Sequence, residues 1–172
     1  FFKQKTAYEI PKRDWSSDVC SSDLSAGNGS IYEKRWLKLK VALVTGGATG
    51  IGAATVKALA ADNLTLALHY SKSADAATKL ANQLSKSGAR VEIFGSDLSK
   101  PEGAKELVDQ VRSKLGGIDI LINNAGQMTD SSITKMSDQL WDEAINLNLS
   151  VSFKLIRATA DEMVSKKWGR II

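Results

Sequence analysis

One cysteine and one histidine occur in the whole sequence. The cysteine, Cys20, sits in an opening stretch unlike the rest of the chain. What remains has no disulfide framework, no zinc cluster and no thiol nucleophile. The histidine, His69, cannot build a multi-histidine metal site by itself or anchor a Ser-His-Asp triad alone. No window approaches the ~18 consecutive apolar residues that span a bilayer. Positions 1–30 have a basic start at best and no apolar core, so no secretory signal is expected there. These absences favour a soluble, cytoplasmic protein with no metal and no membrane partner. The net charge of +4 is dispersed, its densest groups being "EKRWLKLK" (33–40) and "KKWGR" (166–170). Scattered lysines on solvated helix faces explain it better than a nucleic-acid surface does.

The opening "FFKQKTAYEIPKRDWSSDVCSSDL" (1–24) sets Phe1, Phe2, Tyr8 and Trp15 among polar residues with no helical or alternating period. Lys3, Lys5, Lys12 and Arg13 cancel Glu9, Asp14, Asp18 and Asp23, so the basic excess belongs to the rest of the chain. This stretch resembles the conceptual translation of a short-read sequencing adapter. Two blocks match in the adapter's order, "KQKTAYEI" and "DWSSDVCSSDL", around the place where a sample barcode would fall. Residues 1–24 are therefore expected to be an artefactual leader. It is expected to be disordered, because it cannot bury enough apolar area to offset its ordering entropy. Residues 25–37 read as a flexible approach segment, and 38–172 as one partial domain.

From Val41 onward, apolar runs alternate with helical segments. "KVALVT" (40–45), "LTLALHY" (64–70), "RVEIFG" (90–95) and "IDILI" (118–122) have the pattern of strands, most clearly the first, which reads as buried on both faces. "GIGAATVKALAADN" (50–63) reads as a helix with Ile51, Ala54, Val56, Ala58 and Leu59 on its apolar face. "DAATKLANQLSKSG" (75–88) reads as a second, ending at Gly88 in a left-handed C-terminal position. "SKPEGAKELVDQVRSKLGG" (99–117) opens with a capping serine and an early proline and carries Leu107, Val108, Val111 and Leu115 on one side. A long helix opens near Ser137 and continues through Lys167, with Trp141, Ile145 and Phe153 read as core. "GRII" (169–172) begins a fifth strand. This alternation implies βαβ units with right-handed crossovers. The fold class is α/β, a doubly wound parallel sheet, incomplete at the C-terminus.

The turn "TGGATGIG" (45–52) joins the first strand to the first helix. Gly46 allows a sharp turn, Gly50 lets a pyrophosphate approach the backbone, and Gly52 lets the helix pack closely on the sheet. The N–H groups at the helix start then favour an anion. With a strand before it and a helix after it, the turn points to a dinucleotide site. About 20 residues further on, an acid would hold a ribose 2′-hydroxyl. The local sequence there is "HYSKS" (69–73), which has no acid. Beside Tyr70, Ser71 offers a donor and Lys72 a counter-charge for a 2′-phosphate, so NADP is favoured over NAD.

Together with "DL" (97–98) and "NNAG" (123–126), these residues resemble the short-chain dehydrogenase/reductase family. The resemblance implies a Rossmann domain whose cofactor-binding residues are Gly46, Ala48, Thr49, Gly50, Ile51, Tyr70, Ser71 and Lys72. It further implies that Asp97 meets the adenine amino group beside the Leu98 backbone. Asn124, Ala125 and Gly126 would line the adenosine-ribose side, and Asn123 would stabilise the central sheet. In "NLNLSVSF" (146–153) it implies that Asn148 distorts the long helix and positions a water in a proton relay, a catalytic part. "GQMTDSSITKMSDQLWDEAI" (126–145) resembles reductases of 3-oxoacyl groups on acyl carrier protein. The implied activity interconverts a small-molecule carbonyl and a secondary alcohol by hydride transfer, in a full-length homo-tetramer or dimer.

Family chemistry also requires a serine and a tyrosine–lysine pair, expected just after "GRII". Tyr8, Tyr32 and Tyr70 all precede that position. The chain is expected to be the N-terminal, cofactor-binding part of such an enzyme, inactive by itself. With its fifth strand barely begun, it is also expected to aggregate or fold poorly. A non-catalytic dinucleotide-binding module is the alternative reading.

Overall fold

A computed structural model describes residues 39–128 and 130–172. The expectations for the leader (1–24) and the approach segment (25–37) fall outside these residues. Among the described residues, five strands form one parallel sheet: β1 (Val41–Val44), β2 (Thr65–Tyr70), β3 (Arg90–Gly95), β4 (Ile120–Ile122) and β5 (Arg170–Ile171). Their order is β3-β2-β1-β4-β5. The helices are α1 (Gly50–Leu59), α2 (Ala74–Lys86), α3 (Gly103–Leu115), α4 (Asp138–Ile145) and α5 (Val151–Ser165). A π-helical turn, Asn146–Ser150, joins α4 to α5.

β1 is apolar throughout because it is buried on both faces. Val41 and Leu43 share a cluster with Leu107, Val111 and Leu155 of α3 and α5. Ala42 and Val44 share another with Val56, Leu80 and Leu84 of α1 and α2. Helices thus cover both faces of the sheet. β1 pairs with β2 (Val44↔Leu68) and with β4 (Val44↔Ile122). The loops after β1 and β4 diverge at this reversal of strand order and leave a crevice at the carboxyl edge.

The expected element order holds, while several boundaries and faces move. α2 ends as its sequence implies: Gly88 takes φ +91, its N–H donates to Ser85 O, and Ala89 N–H donates to Leu84 O. α3 begins at Gly103, not at Ser99. Ser99 caps nothing there, because its N–H and hydroxyl both donate to Asp97 Oδ1, at 3.0 and 2.6 Å. α1 buries Gly52 and Val56 and leaves Ile51, Ala54 and Ala58 exposed. An almost wholly apolar helix does not reveal its inner face by periodicity.

The long helix is not continuous, and its aromatic residues are not core. Trp141, Ile145 and Phe153 are 54%, 37% and 57% exposed. α5 instead turns Val151, Leu155, Thr159 and Met163 inward, because a helix has one face toward the sheet and these four share it. Trp141, Ile145, Leu149 and Phe153 recur every four residues as an exposed apolar stripe.

Candidate active site

The carboxyl ends of β1 and β4 are latched together by one residue. Thr45, almost fully buried, donates from Oγ1 to Ile122 O at 3.1 Å. The same oxygen accepts from Asn124 N (3.0 Å) and Ala125 N (2.9 Å). Asn124 returns the contact, its Nδ2 donating to Thr45 O at 2.8 Å and Gly46 O at 3.1 Å. The Thr45 and Gly46 carbonyls at the start of the glycine turn are thereby satisfied from within.

Gly46 and Gly50 adopt φ +62 and +53, a region costly for residues with a Cβ. A Cβ on Gly52 would collide with Gly46 O and Asn124 Nδ2, so this glycine permits α1 to start directly against the turn. A Cβ on Gly50 would meet nothing, because the space outside the turn is open. The first intrahelical bond of α1 runs from Ala53 N to Thr49 O, so the N–H groups of Gly50, Ile51 and Gly52 precede any helical acceptor. No acidic residue stands in that first turn to compete for them. The combination is a receptor for an anion with close backbone approach.

The turn opens onto a cleft of about 540 Å³. Of the cofactor-binding residues expected from sequence, Gly46, Ala48, Thr49, Ile51, Tyr70, Ser71, Lys72, Asp97, Leu98, Asn124, Ala125 and Gly126 all line it. Gly50 stands in the turn beside it. Lys72 and Asp97 bring the formal charges to this lining. The bonds from the Ser99 hydroxyl and amide hold the Asp97 carboxyl below the usual carboxylate range. His69, Ser73, Ser99, Gln127 and Leu147 also line the cleft and were not singled out as site residues from sequence. For His69 the available signal was its place at the end of β2, one residue before Tyr70. A larger hollow of about 860 Å³ follows the solvent face of α2, from Asp75 to Ser87. It lies along one helix, away from the strand ends.

Asn148 is absent from the cleft wall and acts on it through Gln127. Its Oδ1 accepts from Gln127 N at 3.0 Å, while Nδ2 donates to Gln127 O at 2.9 Å and Ala144 O at 3.0 Å. Taking the Ala144 carbonyl replaces a helical bond with a side-chain bond, which accounts for the π turn at this point. Asn146 adds a bond from Nδ2 to Ser99 O at 2.9 Å and ties the turn to the loop after β3. Asn123 serves the sheet, its N–H and Nδ2 both donating to Ile172 O beyond β5.

Among the described residues, no group of three or more His, Cys, Asp or Glu side chains is placed to hold a metal ion. No helix among them is long and apolar enough to cross a membrane. Open space at Gly50, the amides at the start of α1 and a lysine in the cleft lining together fit a dinucleotide phosphate.

Comparison with known proteins agrees with this geometry. The family model for short chain dehydrogenase matches residues 40–172. A 3-oxoacyl-(acyl-carrier-protein) reductase FabG of Staphylococcus epidermidis is 32% identical over 77% of this chain and 54% of its own length. A D-beta-hydroxybutyrate dehydrogenase of Cupriavidus necator is 38% identical over 77% of this chain and 51% of its own. A solved metagenomic short-chain oxidoreductase in complex with NADP superposes with a TM-score of 0.72 at 29% identity, covering 77% of this chain and 60% of that one. The chain spans about half the length of the curated relatives it matches. With that match and this Rossmann-type sheet, the chain belongs to the short-chain dehydrogenase family, NAD(P)-binding oxidoreductases.

Proposed function

We propose that this chain is the cofactor-binding part of an NADP-dependent oxidoreductase interconverting a carbonyl and a secondary alcohol. The observation that carries the reading is the single cleft shared by the glycine turn, Ser71, Lys72 and Asp97. The amides opening α1 take the pyrophosphate, Ser71 and Lys72 hold the 2′-phosphate, and Asp97 meets the adenine. Asn124, Ala125 and Gly126 give the ribose a wall of small groups. When bound, the cofactor supplies or accepts the hydride. Asn148 fixes the Gln127 segment and, with the π turn, places a water for proton delivery. The general acid comes from outside the described residues: Tyr8 has Lys12 four residues later, but that pair precedes β1 and lies outside them. The described residues are therefore expected to turn over no ketone by themselves.

The relatives' names support a substrate with a 3-oxo or 3-hydroxy group, a 3-oxoacyl thioester being the form that the 126–145 resemblance favours. The stripe of Trp141, Ile145, Leu149 and Phe153 supports a full-length homodimer or homotetramer. The test is binding of NADP and NAD to the full-length protein and its Lys72→Glu variant. Loss of a charge-assisted contact and gain of repulsion are expected to weaken NADP by about 10- to 100-fold, with NAD little changed. Equal affinity of the wild-type protein for the two cofactors would remove the NADP assignment.

A further inference from the structure

His69 is 1% exposed, the most deeply buried ionisable group lining the cleft, and cofactor contacts leave it without a task. Both ring nitrogens are engaged. Nδ1 lies 3.1 Å from the Gly46 backbone nitrogen, whose N–H can only donate, so Nδ1 accepts. Nε2 lies 3.1 Å from Ser96 O, which can only accept, so Nε2 carries the proton. These partners define a neutral ring in one tautomer. The backbone carbonyl of His69 also accepts from Gly47 N–H at 2.8 Å. One residue of β2 thus grips two successive amides of the glycine turn and the strand end that leads to Asp97.

We infer that His69 is a positioning residue for the dinucleotide site: its neutral ring holds the glycine turn in its receptive shape and ties it to the adenine-side loop, and a proton on the ring releases the turn. The inference rests on the dinucleotide reading above. A protonated ring would set an N–H against the Gly46 N–H, two donors facing each other at a ring that is itself buried. Gly46 must then withdraw, and Gly47 is drawn with it through the same residue. The other titratable groups lining the cleft are Tyr70 at the end of β2, Lys72 after it and Asp97 after β3. The turn and the loop after β4 present Thr49, Asn124 and Gln127, which do not ionise. On the face of the sheet that Ala67 and Phe94 share with α3 and α5, the buried cluster is apolar. Burial lowers the pKa of His69 from 6.5, against the opposing pull of the Ser96 carbonyl. The receptive turn is therefore complete at neutral pH.

The test is NADP affinity of the full-length protein between about pH 8 and about pH 5, by calorimetry, beside His69→Asn and His69→Gln. Asparagine keeps an acceptor where Nδ1 stood but does not titrate. Glutamine reaches toward Ser96 and leaves the Gly46 amide unpaired. Wild-type affinity is expected to fall by up to about tenfold per pH unit below the ring's pKa. NADP's own 2′-phosphate titrates near pH 6, so the slope that survives in His69→Asn belongs to the ligand and the difference belongs to the ring. His69→Gln is expected to bind about tenfold more weakly at both ends of the range. Equal slopes in wild type and His69→Asn overturn the proposal. Nitrogen NMR of the unliganded wild-type protein gives an answer that needs neither variant. A proton on Nε2 with a Gly46 amide resonance that follows the ring titration supports the inference, and a Gly46 amide indifferent to it overturns it. A folded wild-type protein that binds no NADP at pH 8 would instead overturn the dinucleotide reading, and the His69 proposal with it.

Discussion

Within the glycine turn, two glycines do different work, and substitution should separate them. Gly52→Ala drives a methyl group into Gly46 O and Asn124 Nδ2. It is expected to cost about 1–3 kcal/mol and to weaken cofactor binding, read by thermal melting and by NADP titration. Gly50→Ala meets no atom but takes φ +53, so about 1–2 kcal/mol of backbone strain is expected. Its larger effect should be on NADP, whose approach the methyl group obstructs. His69 makes a pH prediction at the same scale. Its folded pKa lies below 6.5, so the unfolded chain binds the proton more readily. Its contribution to stability is complete above pH 6.5 and drains as pH falls from there to the folded pKa. Melting temperatures of wild type and His69→Asn should therefore converge as the solution is acidified through that window. The spacing of the glycines was legible in sequence because it obeys a local backbone rule. The grip of Asn124 on Thr45 and Gly46 was not, because it joins residues 79 and 78 positions apart.

The sequence of α4, the π turn and α5 reads as one helix, because its composition favours helix throughout, and the family resemblance places a distortion in it at Asn148. The structure shows the bonds by which that side-chain amide distorts it. Asn148 takes the Ala144 carbonyl and both polar groups of the Gln127 peptide unit, which no periodicity reveals. Asn148→Ala removes these bonds and is expected to cost about 1–3 kcal/mol and to speed amide exchange across Asn146–Ser150. Full protection of that segment in the variant would mean that the turn is maintained by packing alone. The outward stripe of the same element carries a separate prediction. Phe153→Asp is expected to shift the full-length protein to a smaller oligomer in sedimentation, with the helical signal retained. An unchanged sedimentation coefficient would remove that face from the assembly. Trp141, Ile145 and Phe153 were misplaced as core because apolar character tells that a side chain seeks burial, not which neighbour provides it.

Across the whole molecule, the amino ends of the central strands contrast with the β5 edge of the sheet. The amino ends are tied by polar contacts: Asp119 accepts from Val41 N and from Lys166, and Lys166 also bridges to Glu162. β5, at the sheet edge, is exposed over both its residues, with Ile172 and Val164 open beside it. An open apolar strand edge invites pairing between chains. The 172-residue chain expressed alone is accordingly expected to aggregate on heating without a cooperative transition, read by light scattering during a melt. A reversible two-state melt of a monomer would contradict this. The amino-acid order by itself determined the alternation of strands and helices, the parallel doubly wound sheet, the anion-receptive turn and the lack of an acid after β2. Each of these depends on local periodicity or on the backbone freedom of a named residue. Only the tertiary structure decided which helix faces are buried, which partners Asn148 takes, and that His69 ties the glycine turn to the loop carrying Asp97. Those outcomes depend on groups far apart in the chain, brought within hydrogen-bonding distance only when β1, β2, β3 and β4 lie side by side.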